Sequence, residues 1–502
     1  MTFDADAAYQ AILARDARFD GRLFVGVTST GIYRRPICRV RTPMKKNCRF
    51  FGSAAQAEAA AFRPCLKCRP EIAPGPGLPW TVMDASRTLA RQAALGLDAA
   101  LGADSADGAA DGAAPSVAAL AARLGVSERH LRRIFIAEHG VTPLQYVQTR
   151  RLLLAKQLLT DTRLPVAQVA LTSGFRSLRR FNAAFAASYR MNPARLRRAA
   201  AEPDANGEPR SDPAVTVTLG YRTPYDTEAL LRFLALRAIP GIETIEGLSI
   251  RRSIRGGLYG PNAGWVSATF RPEAARVQLA FAPALAPASG RLVAAVRRWL
   301  DLDAAPDSID ATLAELPGAP GLRLPGSVDA FELAVRAVLG QQVTVAGART
   351  LARRLVVAFG TPLATPWPDI DRAFPAPEAL AAAPIERIAE LGIIRARAGA
   401  IRAIAQAWPE LAALLQPRSD PEPLIARLVA LPGIGPWTAH YIAMRALGWP
   451  DAFLPDDVAA LKAMRRLYGP LTPRAALARA QAWQPWRAYA VLRLWNTLGN
   501  PP

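Results

Sequence analysis

Residues 431–439 read Leu-Pro-Gly-Ile-Gly-Pro-Trp-Thr-Ala, and residues 454–457 read Leu-Pro-Asp-Asp. No other part of this 502-residue chain limits the fold so strongly. Residues 423–429 have helical apolar spacing, and residues 437–447 repeat it, with Trp437, Tyr441, Met444 and Leu447 on neighbouring turns. A Pro-Gly-Ile-Gly turn joining two helices leaves successive backbone N–H groups exposed at a helix N-terminus, a ready anion site. Such a hairpin, with Gly433 and Gly435 at its turn, grips a DNA phosphate without reading sequence. The acids that follow supply a candidate for chemistry on the nucleotide held there. Pro-Gly pairs alone mark ordinary turns; the hairpin, Trp437 and the delayed Asp-Asp are specific together.

The charge of the chain agrees with a polyanionic partner. Formal net charge is +21, and residues 1–200 hold 30 basic against 14 acidic side chains, so +16 of it lies in the first two-fifths. No amphipathic Lys-rich helix or lipidation motif favours a membrane, which leaves DNA as the expected partner. The acidic opening Met-Thr-Phe-Asp-Ala-Asp has no apolar core, and no apolar run approaches a membrane span. A cytoplasmic location is expected. All four cysteines fall between positions 38 and 68, which points to one site in a reducing compartment rather than a disulfide framework.

Composition divides the chain. Pro/Gly punctuation at 73–79 closes a first unit, an Ala/Gly/Asp stretch covers 101–115, and residues 201–213 read as a linker. Residues 116–198 read as a run of short helices, residues 215–221 and several later pieces up to about Phe281 as strands, and the rest as helix broken by prolines.

Cys65 and Cys68, spaced Cys-x-x-Cys, make a zinc site plausible together with Cys38 and Cys48, since tetrahedral zinc takes four thiolate or imidazole ligands. Cys48, beside Arg49, Phe50 and Phe51, also reads as a small core residue on a strand. Residues 30–38 (Thr-Gly-Ile-Tyr-Arg-Arg-Pro-Ile-Cys) and 62–70 (Phe-Arg-Pro-Cys-Leu-Lys-Cys-Arg-Pro) resemble the N-terminal domain of the Ada adaptive-response proteins over roughly 5–72. That family moves a methyl group from a DNA phosphotriester onto a zinc-bound cysteine, the first of its Cys-Arg-Pro-x-Cys pattern. Here Arg34 holds that position, and a guanidinium is neither ligand nor nucleophile. The resemblance therefore carries over Cys38, Cys65 and Cys68 as zinc ligands, but not the methyl acceptor. Either Cys48 joins them as fourth ligand, the expectation adopted here, or the domain keeps its fold and DNA contact without methyl transfer.

Residues 116–135 have helix-turn-helix spacing. Ser116 can cap the first helix, Gly125 makes the turn, and Ser127 caps a second helix that buries Leu131, Ile134 and Phe135 while presenting Arg129, His130, Arg132 and Arg133. A similar unit at 165–182 presents Arg176, Ser177, Arg179, Arg180 and Asn182. Two in tandem, each basic on its second helix, fit a pair of major-groove readers. About residues 82–199 resemble the AraC-type DNA-binding domain, matching Gly-Phe-x-Ser-x-x-x-Phe-x-x-x-Phe from Gly174 to Phe185. The methylguanine transferase that ends Ada itself is absent, since no cysteine follows Cys68.

From about 214 onward the chain resembles the AlkA-type DNA-3-methyladenine glycosylase II of the helix-hairpin-helix superfamily. The match rests on residues 230–238 and 328–342, on the hairpin through Asp457, and on 483–490 with Trp495. The resemblance implies excision of alkylated bases. Alkylation at N3 or N7 makes a purine cationic and weakens its glycosidic bond; the enzyme flips the nucleotide and stabilises an oxocarbenium-like sugar. By motif position Asp457 is the catalytic acid, while Asp456 is expected to cap the following helix. Phe233, Trp437, Tyr441 and Trp495 match the family's base pocket, where electron-rich rings hold an electron-poor base. Trp483 and Trp486 read as core. Glycosylase/lyases of this superfamily carry a Schiff-base lysine where this chain has Trp437, so no strand cleavage is expected. Gln341 matches a DNA-contacting Gln, and Gln342 stands where the family has a wedge, commonly apolar, that fills the gap left by the flipped base.

The expected architecture is a multidomain α+β chain. It comprises a small zinc-bound α/β domain (1–76), an all-α tandem helix-turn-helix domain (80–200), the linker 201–213, an α+β sheet domain (214–297) and an all-α helix-hairpin-helix glycosylase domain (298–502). The expected cofactors are Zn2+ in the first domain and a monovalent cation at the hairpin, with none for the glycosylase chemistry. The expected partners are double-stranded DNA, damaged and promoter alike, and RNA polymerase, with no membrane and a monomeric chain. A competing reading makes the chain a regulator whose glycosylase half holds damaged DNA without cutting it.

Overall fold

The computed structural model describes residues 4–75, 85–100, 117–200, 214–415, 420–454 and 456–499. The stretch 101–115, the Ser116 cap and the linker 201–213 lie outside them, as does most of the Pro/Gly punctuation. The chain forms two units, one from residues 1–77, 81–223 and 272–294, the other from 78–80, 224–271 and 295–502.

In the first unit, Phe24–Val27 lies antiparallel between Cys48–Phe51 and Ile32–Arg34, and the short Arg63–Pro64 runs parallel to Ile32–Arg34. Alternation along the strand sends Leu23 and Val25 against Ala8 and Ile12, and Phe24 against Tyr33, Phe51 and Phe62. Gly26 is required there, because a Cβ would stand 2.8 Å from the Phe51 ring and 2.9 Å from that of Phe62. The helical part follows its caps. Ser127 and Ser177 each accept from the backbone N–H three residues on, at 3.2 Å, starting Glu128–His139 and Leu178–Tyr189. Leu131, Ile134 and Phe135 are buried, as are Phe181 and Phe185.

One helix departs from the expected run of short ones: Pro143–Asp161 spans 19 residues. A capping box of Thr142 and Gln145 starts it, and no Gly or Pro interrupts it before Thr162. Its buried face carries Lys156, which pairs with Glu71; Arg69 bridges Glu71 and Asp161, and Asp161 in turn accepts from the Thr218 N–H at 3.0 Å. The carboxylate of Glu71 is wholly buried and Lys156 is 1 % exposed. Burial raises the Glu71 pKa, yet Lys156 and Arg69 outweigh it and hold the carboxyl below its ordinary range. Strands Val215–Gly220 and Arg276–Phe281 pair antiparallel in the same unit.

The second unit joins an antiparallel meander, Glu243–Glu246, Ser249–Ile254 and Gly264–Arg271, to a helical body. Helices Ala330–Leu339, Arg395–Gln406, Glu422–Val429 and Pro436–Ala446 bury Phe331, Val338, Ile401, Leu424, Leu428 and Ile442 in one core. The short strand pair Thr361–Pro362 and Arg372–Ala373 interrupts the otherwise helical stretch. Trp483 and Trp486 are core, at 0 % and 5 % exposure. No described helix is long and apolar enough to cross a membrane.

Candidate active site and metal centre

The hairpin forms where the sequence places it, Glu422–Val429 leading through the turn into Pro436–Ala446. Gly433 takes the left-handed φ of +79°, and a Cβ there would stand 3.0 Å from the Cβ of Ala400. Gly435 occupies the N-cap with no side chain to consume the first N–H groups of the helix, and Pro436 follows at the start of its first turn. Gln341 braces this turn from inside: its amide nitrogen donates to the Gly433 carbonyl and the Thr438 hydroxyl, both at 3.1 Å. Gln342, by contrast, is exposed and holds a left-handed φ of +53° after helix Ala330–Leu339.

Asp457 is 3 % exposed. Its Oδ2 accepts from the Trp437 indole N–H at 2.8 Å; its Oδ1 accepts from the Trp495 indole N–H at 3.0 Å and from the Ala460 backbone at 2.6 Å. That last bond makes Asp457 the N-cap of Val458–Tyr468, which corrects the expectation that Asp456 caps this helix. The geometry explains the exchange. Ala460 is three residues after Asp457, the reach of an N-cap side chain, while Asp456 is exposed.

The aromatic residues gather beside this carboxylate. Trp437 and Tyr441 stack at 5.2 Å and 8°, and the Trp495 ring lies 6.5 Å from Tyr441. These three line a cavity with Arg237, Arg445 and Val343. Phe233 is not among the lining residues: its ring is flanked by the guanidiniums of Arg237, 3.8 Å from the centroid, and Arg445, 5.0 Å. The family-based expectation put an aromatic face on the base at this point. The structure spends that face on two cations, which themselves reach the cavity wall. Arg445 also donates to the Tyr441 hydroxyl at 2.8 Å. Burial raises the Tyr441 pKa, but Arg445 and Arg237 outweigh it and leave the phenol below its ordinary value. Burial, with Arg445 and Arg336 nearby, pushes Arg237 down to about 10. Sequence reasoning passed over both arginines, although Arg237 follows Phe233 by four residues and Arg445 follows Tyr441 by four, the spacing of helical neighbours.

In the first unit the thiols of Cys38, Cys65 and Cys68 lie within 4.8 Å of one another, and no other described Cys, His, Asp or Glu joins them. The Arg35 N–H donates to the Cys68 sulfur at 3.4 Å. Hydrogen bonds from Cys38 and Cys68 draw the Cys65 thiol far below its usual range. Three soft thiolates this close match three vertices of a tetrahedral zinc site. Cys48, expected as the fourth ligand, stands apart on the first residue of Cys48–Phe51, where its thiol donates to the Met44 carbonyl at 3.4 Å. Register accounts for this: Cys48 pairs with Val27, and the metal-side loops leave from the ends of Ile32–Arg34 and Arg63–Pro64. Arg34 contacts the Arg41 carbonyl at 3.4 Å. On the helical readers Arg129, Arg132, Arg133, Arg176, Arg179, Arg180 and Asn182 are exposed, and His130 is half-buried.

A buried acid beside an aromatic cavity at a helix-hairpin-helix, in one chain with a three-thiol site and tandem reader helices, defines a base-excision protein joined to a regulatory DNA-binding module. Sequence families agree segment by segment: the metal binding domain of Ada over 7–71, a helix-turn-helix domain over 120–199, the AlkA N-terminal domain over 216–329, and the HhH-GPD superfamily of base excision DNA repair proteins over 335–488. A Mycobacterium tuberculosis protein described as "Probable bifunctional transcriptional activator/DNA repair enzyme AlkA" is 37% identical over 514 residues, covering 99% of this chain and 97% of its own. The chain belongs to that bifunctional AlkA family. DNA-3-methyladenine glycosylase 2 of Escherichia coli is 38% identical, over 57% of this chain and 98% of its own. The Escherichia coli bifunctional transcriptional activator/DNA repair enzyme Ada is 33% identical, over 29% of this chain and 36% of its own.

Proposed function

We propose that this protein repairs alkylated DNA as a DNA-3-methyladenine glycosylase fused to a transcription-regulatory DNA-binding module. One observation carries the reading: the buried carboxylate of Asp457 is hydrogen-bonded by Trp437 and Trp495, which themselves line a cavity with Tyr441. The hairpin N–H groups past Gly433 and Gly435 hold a phosphate of the damaged strand, and Gln342 enters the gap left by the flipped nucleotide. As a polar plug it fills space and hydrogen-bonds the orphan base. The base enters among Trp437, Tyr441 and Trp495, and as it departs Asp457 faces the cationic sugar and stabilises it electrostatically. Trp437 cannot form a Schiff base, so the product is an abasic site in an unbroken strand. Related alkylated bases are substrates on the same principle.

In the first unit Cys38, Cys65 and Cys68 hold zinc, which supplies a structural cross-link between the two cysteine-bearing loops. The exposed arginines 129, 132, 176, 179 and 180 bind promoter DNA. Arg34 leaves the family's methyl transfer without its acceptor.

Asp457→Asn keeps a capping side chain but removes the negative charge. Its release of 3-methyladenine from methylated duplex DNA is expected to fall by about 100-fold or more. Release at the wild-type rate overturns the assignment of Asp457. A wild-type protein that binds such DNA without releasing base establishes the competing reading, that of a damage sensor.

A further inference from the structure

Trp437 and Trp495 do more than wall the cavity. We propose that their indole N–H groups are positioning donors for Asp457, fixing the direction of the carboxylate and leaving one lone pair of Oδ2 to meet the sugar. The inference rests on the role of Asp457 proposed above.

A carboxylate offers about four lone-pair sites over its two oxygens. Oδ1 receives two N–H groups, from Trp495 at 3.0 Å and Ala460 at 2.6 Å; Oδ2 receives one, from Trp437 at 2.8 Å. Among the described residues, three of the four sites thus face donors, and the fourth lies on Oδ2. An indole nitrogen donates only, so neither tryptophan can turn to accept a proton from a carboxylic acid. Both donors are immobilised. The Trp437 ring lies flat against Tyr441, whose hydroxyl is fixed by Arg445, and Trp495 is 1 % exposed within Arg487–Asn496. Preorganised donors of this kind act without rearranging as the reaction proceeds. Oδ2 is therefore the oxygen that meets the anomeric carbon, and Trp437 sets its direction. Ser or water in place of an indole would satisfy the same lone pairs without fixing them.

The test separates N–H from ring. In the full-length protein, Trp437→Phe and Trp495→Phe keep an aromatic face and delete the donor. Single-turnover base release is expected to fall about 10-fold or more for each, with affinity for duplex containing an uncleavable abasic analogue unchanged. In an Asp457→Asn background the same substitutions are expected to cost nothing further, because there is no charge left to position. Wild-type rates in both Phe variants overturn the proposal, and so does an equal loss with and without Asp457. Trp437→Phe, at a half-exposed position, decides the matter should the buried Trp495→Phe fail to fold. If Asp457→Asn itself releases base normally, the assignment of the acid fails instead, a result the Phe variants alone cannot produce.

Discussion

At the residue scale, several side chains hold two positions in the structure's logic at once. Asp457 is an acid and a helix cap; Phe233 is core and a platform for two guanidiniums. Glu58 is a third case. Its carboxylate accepts from the Tyr33 hydroxyl at 3.0 Å, and burial pushes its pKa up to about 8 against hydrogen bonds from Tyr33 and Thr149 and the charge of Lys156. The folded value lies above the ordinary 4.5, so at intermediate pH the folded state keeps a proton that the unfolded chain has released. The stability of the first unit is therefore expected to fall as pH rises from 4.5 towards 8, and to level off above that. Glu58→Gln should flatten this slope, as read by urea unfolding at about pH 5 and about pH 8.5.

Elements were legible in the sequence where backbone chemistry is local. Ser127 announced its helix, Pro432 and Gly433 announced the hairpin, and residues 215–221 showed a strand by alternation, whereas Ser177, read as an exposed contact, turns out to cap the helix after it. The same reading erred where a contact is tertiary. Nothing near Asp456 and Asp457 in sequence says which one meets two indoles 20 and 38 residues away. Cys48 has the chemistry of a ligand, and only strand register removes it from the three thiols. The hairpin itself is open to test. Gly433→Ala must accept the left-handed φ of +79° and press against Ala400. It is expected to cost about 1 kcal/mol or more, seen as a lower unfolding midpoint of the second unit and weaker binding to undamaged duplex.

At the scale of the whole molecule, each unit combines a functional centre with a buried ionic cluster. In the second, Arg252 and Arg336 enclose Glu243 and Glu332; in the first, Arg69, Glu71, Lys156 and Asp161 tie the residue after Cys68 to the long helix Pro143–Asp161. Breaking such a pair leaves buried charge unmatched, at a cost of several kcal/mol. Metal removal by a chelator is expected to loosen this helix as well as the cysteine loops, measured as faster amide hydrogen exchange around Lys156. Cys65→Ser should show the same loss, whereas Cys48→Ala should retain its full metal content. The cap at Asp457 has a practical outcome of its own. Asn caps helices as well as Asp does, so Asp457→Asn removes the charge and keeps the bond to the Ala460 N–H. Such a protein would seize a damaged nucleotide and dwell on it about 100-fold longer or more before the base is released, a trap able to mark alkylation sites along a chromosome.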